Sequence, residues 1–75
     1  MGRHYDYDIS ERLIEELYKL GRTSREIAER TGCSSHLVWN YLNGSIPSVV
    51  MMKQLHKAGC DIMYIITGEA NSTHD

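Results

Sequence analysis

No stretch of this chain comes near the ~20 consecutive apolar residues that a bilayer crossing requires. The longest apolar run, Ile62 to Ile66, spans five residues. The four histidines, His4, His36, His56 and His74, lie far apart, and none stands in an HExxH or other metal-ligand spacing. No glycine-rich phosphate loop occurs either, so neither a metal nor a cofactor is expected. The two cysteines, Cys33 and Cys60, have no CxxC spacing and fall at positions that look buried in helical patterns. They are read as structural thiols rather than as a disulfide or a metal site. The amino end, RHYDYD, lacks the basic and apolar regions of a signal peptide, and the expected compartment is the cytoplasm. With 75 residues there is little concave volume for a substrate pocket, and the carboxylates sit at helix-surface and capping positions. The chain is therefore not expected to be an enzyme.

A surplus of positive charge is also missing. Lys and Arg total 8 against 10 Asp and Glu, for a net charge of −2, whereas nucleic-acid binders commonly carry a basic excess. The distribution differs from the total. Asp6, Asp8, Glu11, Glu15 and Glu16 gather toward the amino end, Arg22, Arg25 and Arg30 bracket a central segment, and Lys53 and Lys57 lie downstream. The local field decides what a surface attracts.

Helical periodicity predicts an all-α, compact five-helix domain spanning 1–75, with its core over about 9–69 and a polar tail over 70–75. A chain of this size buries only about 60% of the surface its unfolded form exposes, so the core is small. The first helix is predicted to run to Leu20, capped by Asp8 or Ser10, with Ile9, Leu13, Leu17 and Leu20 inward and Gly21 as its stop. Glu15 and Lys19 are spaced for an i,i+4 pair.

The most informative segment is TSREIAERTGCSSHLVWNYLNG, Thr23 to Gly44. Thr23 and Glu26 have capping-box spacing, hydroxyl to a free backbone N–H and carboxylate back to the cap's own N–H. Ile27 and Ala28 supply an inward face, and Gly32 stands where a left-handed C-terminal residue belongs. Cys33 fills the small gap before the next helix, which Ser34 caps. That second helix, Ser35 to Leu42, turns Val38 and Tyr41 inward and leaves Ser35, His36, Trp39, Asn40 and Asn43 outward. The small side chain at Ala28 permits two short helices to cross steeply at close range, the ingredients of a helix-turn-helix. An outward polar face of this kind points to duplex DNA.

Gly44 to Pro47 reads as an extended link, because the residue before proline avoids the helical region. Ser48 is placed as cap of a fourth helix with Val49, Met52, Leu55 and His56 toward the core. Ala58-Gly59 ends it, Asp61 caps a fifth helix, and Gly68 stops that one. In the fifth helix Ile62, Ile65 and Ile66 are assigned to the core, and two readings are open for Met63 and Tyr64: contact with a partner subunit, or packing of all five residues around the end of the small core.

Thr23 to Gly44 resembles the helix-turn-helix of the phage Cro and repressor family, and KQLHKAGCDIMYIITGE resembles the closing segment of repressor amino-terminal domains. The likeness covers roughly residues 9–69. It implies a sequence-specific double-stranded DNA-binding transcriptional regulator, most naturally a phage or prophage repressor that binds a palindromic operator as a homodimer. Ser35, His36, Trp39 and Asn40 would then reach base edges. Ser24, Arg25, Ser34, Asn43 and Ser45 would meet the DNA backbone, and Met63 and Tyr64 the dimer mate. Ser24 departs from the family's usual glutamine, which implies a weaker or water-bridged phosphate contact. The helix offered to DNA contains neither Lys nor Arg, which implies modest affinity per copy and reliance on paired sites. Trp39 is open to three readings: a base or sugar contact, a protein contact, or packing on a neighbouring helix. Leu37 and Leu42 are read first as packing against the link and the fourth helix; the same fold also occurs in antitoxins and accessory regulators, and on that alternative Leu37, Trp39 and Leu42 would form an apolar patch for a protein partner.

Overall fold

The computed structural model describes residues 7–69, which form five α-helices and no strand: α1 (Tyr7–Tyr18), α2 (Ser24–Thr31), α3 (Ser35–Leu42), α4 (Val49–Lys57) and α5 (Ile62–Thr67). The acidic residue Asp6, His4, His74 and the tail 70–75 singled out from sequence lie outside the described residues. The radius of gyration is 12.1 Å, close to the ~11 Å of a compact chain this long. Among the described residues no helix is long and apolar enough to cross a membrane.

Four helices start where a short polar side chain can satisfy free amides. Thr23, Ser34, Ser48 and Asp61 accept from the backbone N–H of Glu26, Leu37, Met51 and Tyr64 respectively. The capping box at Thr23 closes differently from the sequence expectation. The Glu26 carboxylate accepts from the N–H of Arg22 at 2.7 Å, so it secures the approach to the helix rather than the cap residue itself. At α1 the expected caps are wrong, since the helix begins at Tyr7 with Asp8 in its first turn and Ser10 buried within it. Its end also comes earlier than Leu20. After Tyr18 the chain tightens into i,i+3 bonds, Lys19 N–H to Glu16 and Leu20 N–H to Leu17, and leaves the α-helix. Gly21 serves close approach instead of termination. A Cβ there would stand 2.8 Å from that of Glu26.

Leu13 and Leu17 of α1, Ile27 of α2, Val38 of α3, Leu55 of α4 and Ile65 of α5 are fully buried, so each helix contributes to one core. Ile9, Leu20, Cys33, Leu37, Leu42, Met52 and Ile62 pack around it, half-buried. Truncating one of the fully buried leucines to alanine would cost about 2–5 kcal/mol. Helix α2 packs most extensively on α3, and α1 on α5.

Polar links fix the α1–α5 contact. Arg12 donates from Nε to the carbonyl of Ile65 at 3.0 Å and from Nη2 to that of Ile66 at 3.3 Å, placing a cation at the C-terminal end of α5. Glu16, although buried, has both oxygens engaged: Oε1 accepts from the Asp61 N–H at 2.8 Å and Oε2 pairs with Lys19 at 2.7 Å. This pair replaces the expected Glu15–Lys19 pair and raises the Lys19 pKa. Glu15 instead accepts the Tyr64 hydroxyl, a bond that raises the tyrosine pKa.

Three core assignments require correction. Val49 is 85% exposed and Ile66 46% exposed, and His56 also faces outward. All three lie on one side of the α4–α5 pair, where the periodicity is apolar but α1 is absent.

Candidate nucleic-acid interface

The turn between α2 and α3 is braced from three directions. Gly32, at φ 79°, donates its N–H to the Ala28 carbonyl at 2.8 Å and reverses the chain in a left-handed conformation that a side chain would strain. The buried Thr31 hydroxyl donates to the Ile27 carbonyl at 2.9 Å and accepts from the Cys33 N–H at 3.3 Å. Gln54 reaches from α4 to donate to the Thr31 carbonyl at 2.9 Å. Ser34 then caps α3. Ala28, 8% exposed, stands among the buried residues of the closely packed α2–α3 pair. Cys33 is half-buried, short of the burial expected for it, and Cys60 is 4% exposed.

With Val38 and Tyr41 buried, α3 is held by one side and presents the other. Burial raises the Tyr41 pKa. Ser35, His36 and Trp39 are exposed, and Asn40 is half-buried at the edge of the same face. His36 and Trp39, one turn apart, stack with ring centroids 6.3 Å apart and planes 12° from parallel. The indole in this stack is 55% exposed. Among the described residues no hydrogen bond engages the side chains of Ser35, His36 or Asn40, so their donors and acceptors face outward uncommitted. The Asn43 amide is partly committed, donating to the Trp39 carbonyl at 2.8 Å as α3 ends. Ser34 is likewise engaged as a cap, though exposed.

Arg25 and Ser45 are exposed and Ser24 half-buried. The only ion pair among the described residues is Lys19–Glu16, which leaves the guanidinium groups of Arg22, Arg25 and Arg30 around α2 without a carboxylate partner. The geometry thus joins a rigid face of uncommitted polar and aromatic groups to nearby unpaired guanidinium groups. Leu37 and Leu42 are packed against the core, so the apolar patch expected for a protein partner reduces to Trp39. Tyr64, assigned from sequence to a dimer mate, is half-buried and bound to Glu15 within its own chain, while Met63 is 54% exposed.

Sequence reasoning missed a surface on the α4–α5 pair. Val49, Met63 and Ile66 flank an open groove of about 760 Å³ between α4 and α5, floored by Met52, Cys60 and Ile62. The run Val49 to Met52 was the available signal, because four successive apolar residues on a short helix cannot all face one core. Among the described residues no group of His, Cys, Asp or Glu is placed to hold a metal ion. Comparison with known protein families, with curated proteins and with solved structures yields no match to this chain.

Proposed function

We propose that this chain is a sequence-specific double-stranded DNA-binding transcriptional regulator whose α2–α3 pair works as a helix-turn-helix of the Cro and repressor type. The observation that carries the proposal is the outer face of α3, where Ser35, His36 and Asn40 keep their hydrogen-bonding groups uncommitted on a helix fixed by its inner side. An α-helix fits the major groove, where each base pair presents its own pattern of donors, acceptors and methyl groups. Asn40 is the candidate for bidentate pairing with adenine, Ser35 and His36 for single base-edge bonds, and Trp39 for the thymine methyl or the sugar. Arg25, Ser24, Ser34, Asn43 and Ser45 are the candidates for the DNA backbone.

One copy offers little area, since a single small module buries about 600–1,000 Å² on DNA. Two copies related by a twofold axis would set their α3 helices in successive major grooves about 34 Å apart and read a palindromic operator. The proposed mode is repression by occupancy, with the bound pair obstructing RNA polymerase. Selection of bound duplexes from a random pool at two salt concentrations tests the reading. An enriched palindromic sequence is expected at both, and uniform recovery of the pool would overturn it.

A protein-binding role for the same face is the second reading. Its support is the exposed Trp39 together with the absence of Lys and Arg from α3. Aromatic anchors of this kind are enriched at protein interfaces. An antitoxin or accessory regulator would use the face in this way.

A further inference from the structure

Val50, Lys53, Gln54 and Lys57 follow one another at helical spacing and form one face of α4, directed toward the end of α2. With Glu29 and Arg30 of α2 they enclose a hollow of about 590 Å³, a size that suits a small molecule. Three of these side chains are cationic and one is anionic, a local positive surplus in a chain whose net charge is −2. The guanidinium of Arg30 and the ammonium groups of Lys53 and Lys57 have no carboxylate partner among the described residues, and all three residues are exposed. Arg30 and Lys57 stand in the last turns of their helices, where the dipole favours a cation. Lys53 stands a turn earlier, so the dipole does not account for the convergence. The floor is fixed: Gln54 donates to the Thr31 carbonyl at 2.9 Å, and a Cβ at Gly32 would stand 2.9 Å from the same amide nitrogen. Val50, 73% exposed, adds an apolar wall.

We propose that this hollow binds a small organic polyphosphate, with the phosphates between Arg30 and the two lysines and the organic part against Val50. A guanidinium matches phosphate oxygens bidentately, and the lysines serve as point charges. A monoanion would leave part of the positive charge uncompensated, whereas adjacent phosphates carry several charges. The hollow exceeds what the phosphates alone would fill, and its apolar wall suits the remainder of the molecule. The phosphates of a duplex share this chemistry. The free molecule is favoured because the hollow lies at the end of α2, while the groups proposed to meet DNA stand at the start of α2 and on the outer face of α3. The site requires neither DNA binding nor a second copy.

Isothermal titration calorimetry of the full chain with adenosine triphosphate and with inorganic triphosphate, free of magnesium and at matched ionic strength, tests the inference. Adenosine triphosphate is expected to bind at a single site and more tightly than the inorganic probe. Arg30→Gln, Lys53→Gln and Lys57→Gln should each weaken it about tenfold, the loss of one charge-assisted bond, with unchanged helical circular dichroism. Glu29→Gln should tighten it. Arg25→Gln, at the far end of α2, is the control and should leave it unchanged. No binding, equal affinity for the two probes, or a loss with Arg25→Gln equal to that of the hollow variants would each overturn the inference. Random-sequence duplex DNA separates the two sources of phosphate. Duplex affinity that falls as steeply as triphosphate affinity in Lys53→Gln and Lys57→Gln would assign the hollow to the nucleic-acid backbone and overturn the free-ligand reading, and duplex affinity unmoved by them supports it. Failure of the parent to bind any duplex would remove the DNA reading and leave this one standing.

Discussion

At Asn40 a carboxamide with no internal hydrogen bond stands at the margin of α3's outward face, while Arg25 offers an unpaired guanidinium from α2. Three substitutions test different parts of the DNA proposal. Asn40→Ala should remove about 1–3 kcal/mol of discrimination at one base position, and Ser35→Ala a smaller amount at another. Arg25→Ala should weaken all duplexes alike and lower the salt slope by about 1. Competition binding against specific and unrelated DNA measures both. Cys60 provides a test of the core. Burial, with Glu16 nearby, pushes its thiol from 9.0 up to about 11. Between those values the unfolded chain loses the proton that the folded chain keeps. The contribution to stability is therefore full below pH 9 and is lost as the pH rises toward 11. Denaturant midpoints of the parent should fall across that window more steeply than those of Cys60→Ala. At pH 8 iodoacetamide should alkylate the half-buried Cys33 and spare Cys60 until the protein unfolds.

At the scale of the helix, Thr23 controls where α2 begins. Its hydroxyl accepts the Glu26 N–H at 3.1 Å, and an eight-residue helix has little independent stability with which to offset a lost cap. Thr23→Ala should cost ~1 kcal/mol, read as a lowered thermal midpoint with native spectra retained below it. The same locality explains what was legible in the sequence. The caps at Thr23, Ser34, Ser48 and Asp61 and the stop at Gly32 depend on a few neighbouring residues, and each could be placed without knowing the fold. The outward edge of α3 followed from the burial of Val38 and Tyr41. Tertiary choices were less accessible. Glu16 rather than Glu15 pairs with Lys19 because α5 draws Glu15 to Tyr64 and Asp61 draws Glu16 inward. Periodicity assigned Val49 and Ile66 to the core because an apolar stripe has the same spacing whether it meets the core or an exposed groove. The direction in which α4 and α5 leave the core separates the two cases.

For the molecule as a whole, the −2 net charge conceals a separation that salt can reveal. Glu11 and Glu15 face solvent from α1, while the guanidinium groups of Arg22 and Arg25 lie beside the start of α2 without carboxylate partners. Association with DNA would be driven by this local field, but α3 adds no cation of its own. With Arg22 joining Arg25 against the backbone, each copy would neutralise about two phosphates and a pair about four, so log K should fall with log salt at a slope near −3.6. Serine hydroxyls and asparagine amides supply the remaining proposed backbone bonds and release no counterions. Binding that depends less on ion release retains more of its specificity as salt rises, because base-edge bonds are comparatively insensitive to it. Titrations of an enriched operator between 50 and 300 mM salt, taking about 3 as the lower bound on the slope's magnitude and about 5 as the upper, measure this directly. A slope near −8 would require cations beyond Arg22 and Arg25, and Arg30, Lys53 and Lys57 would have to reach the duplex by an orientation other than α3 in the major groove.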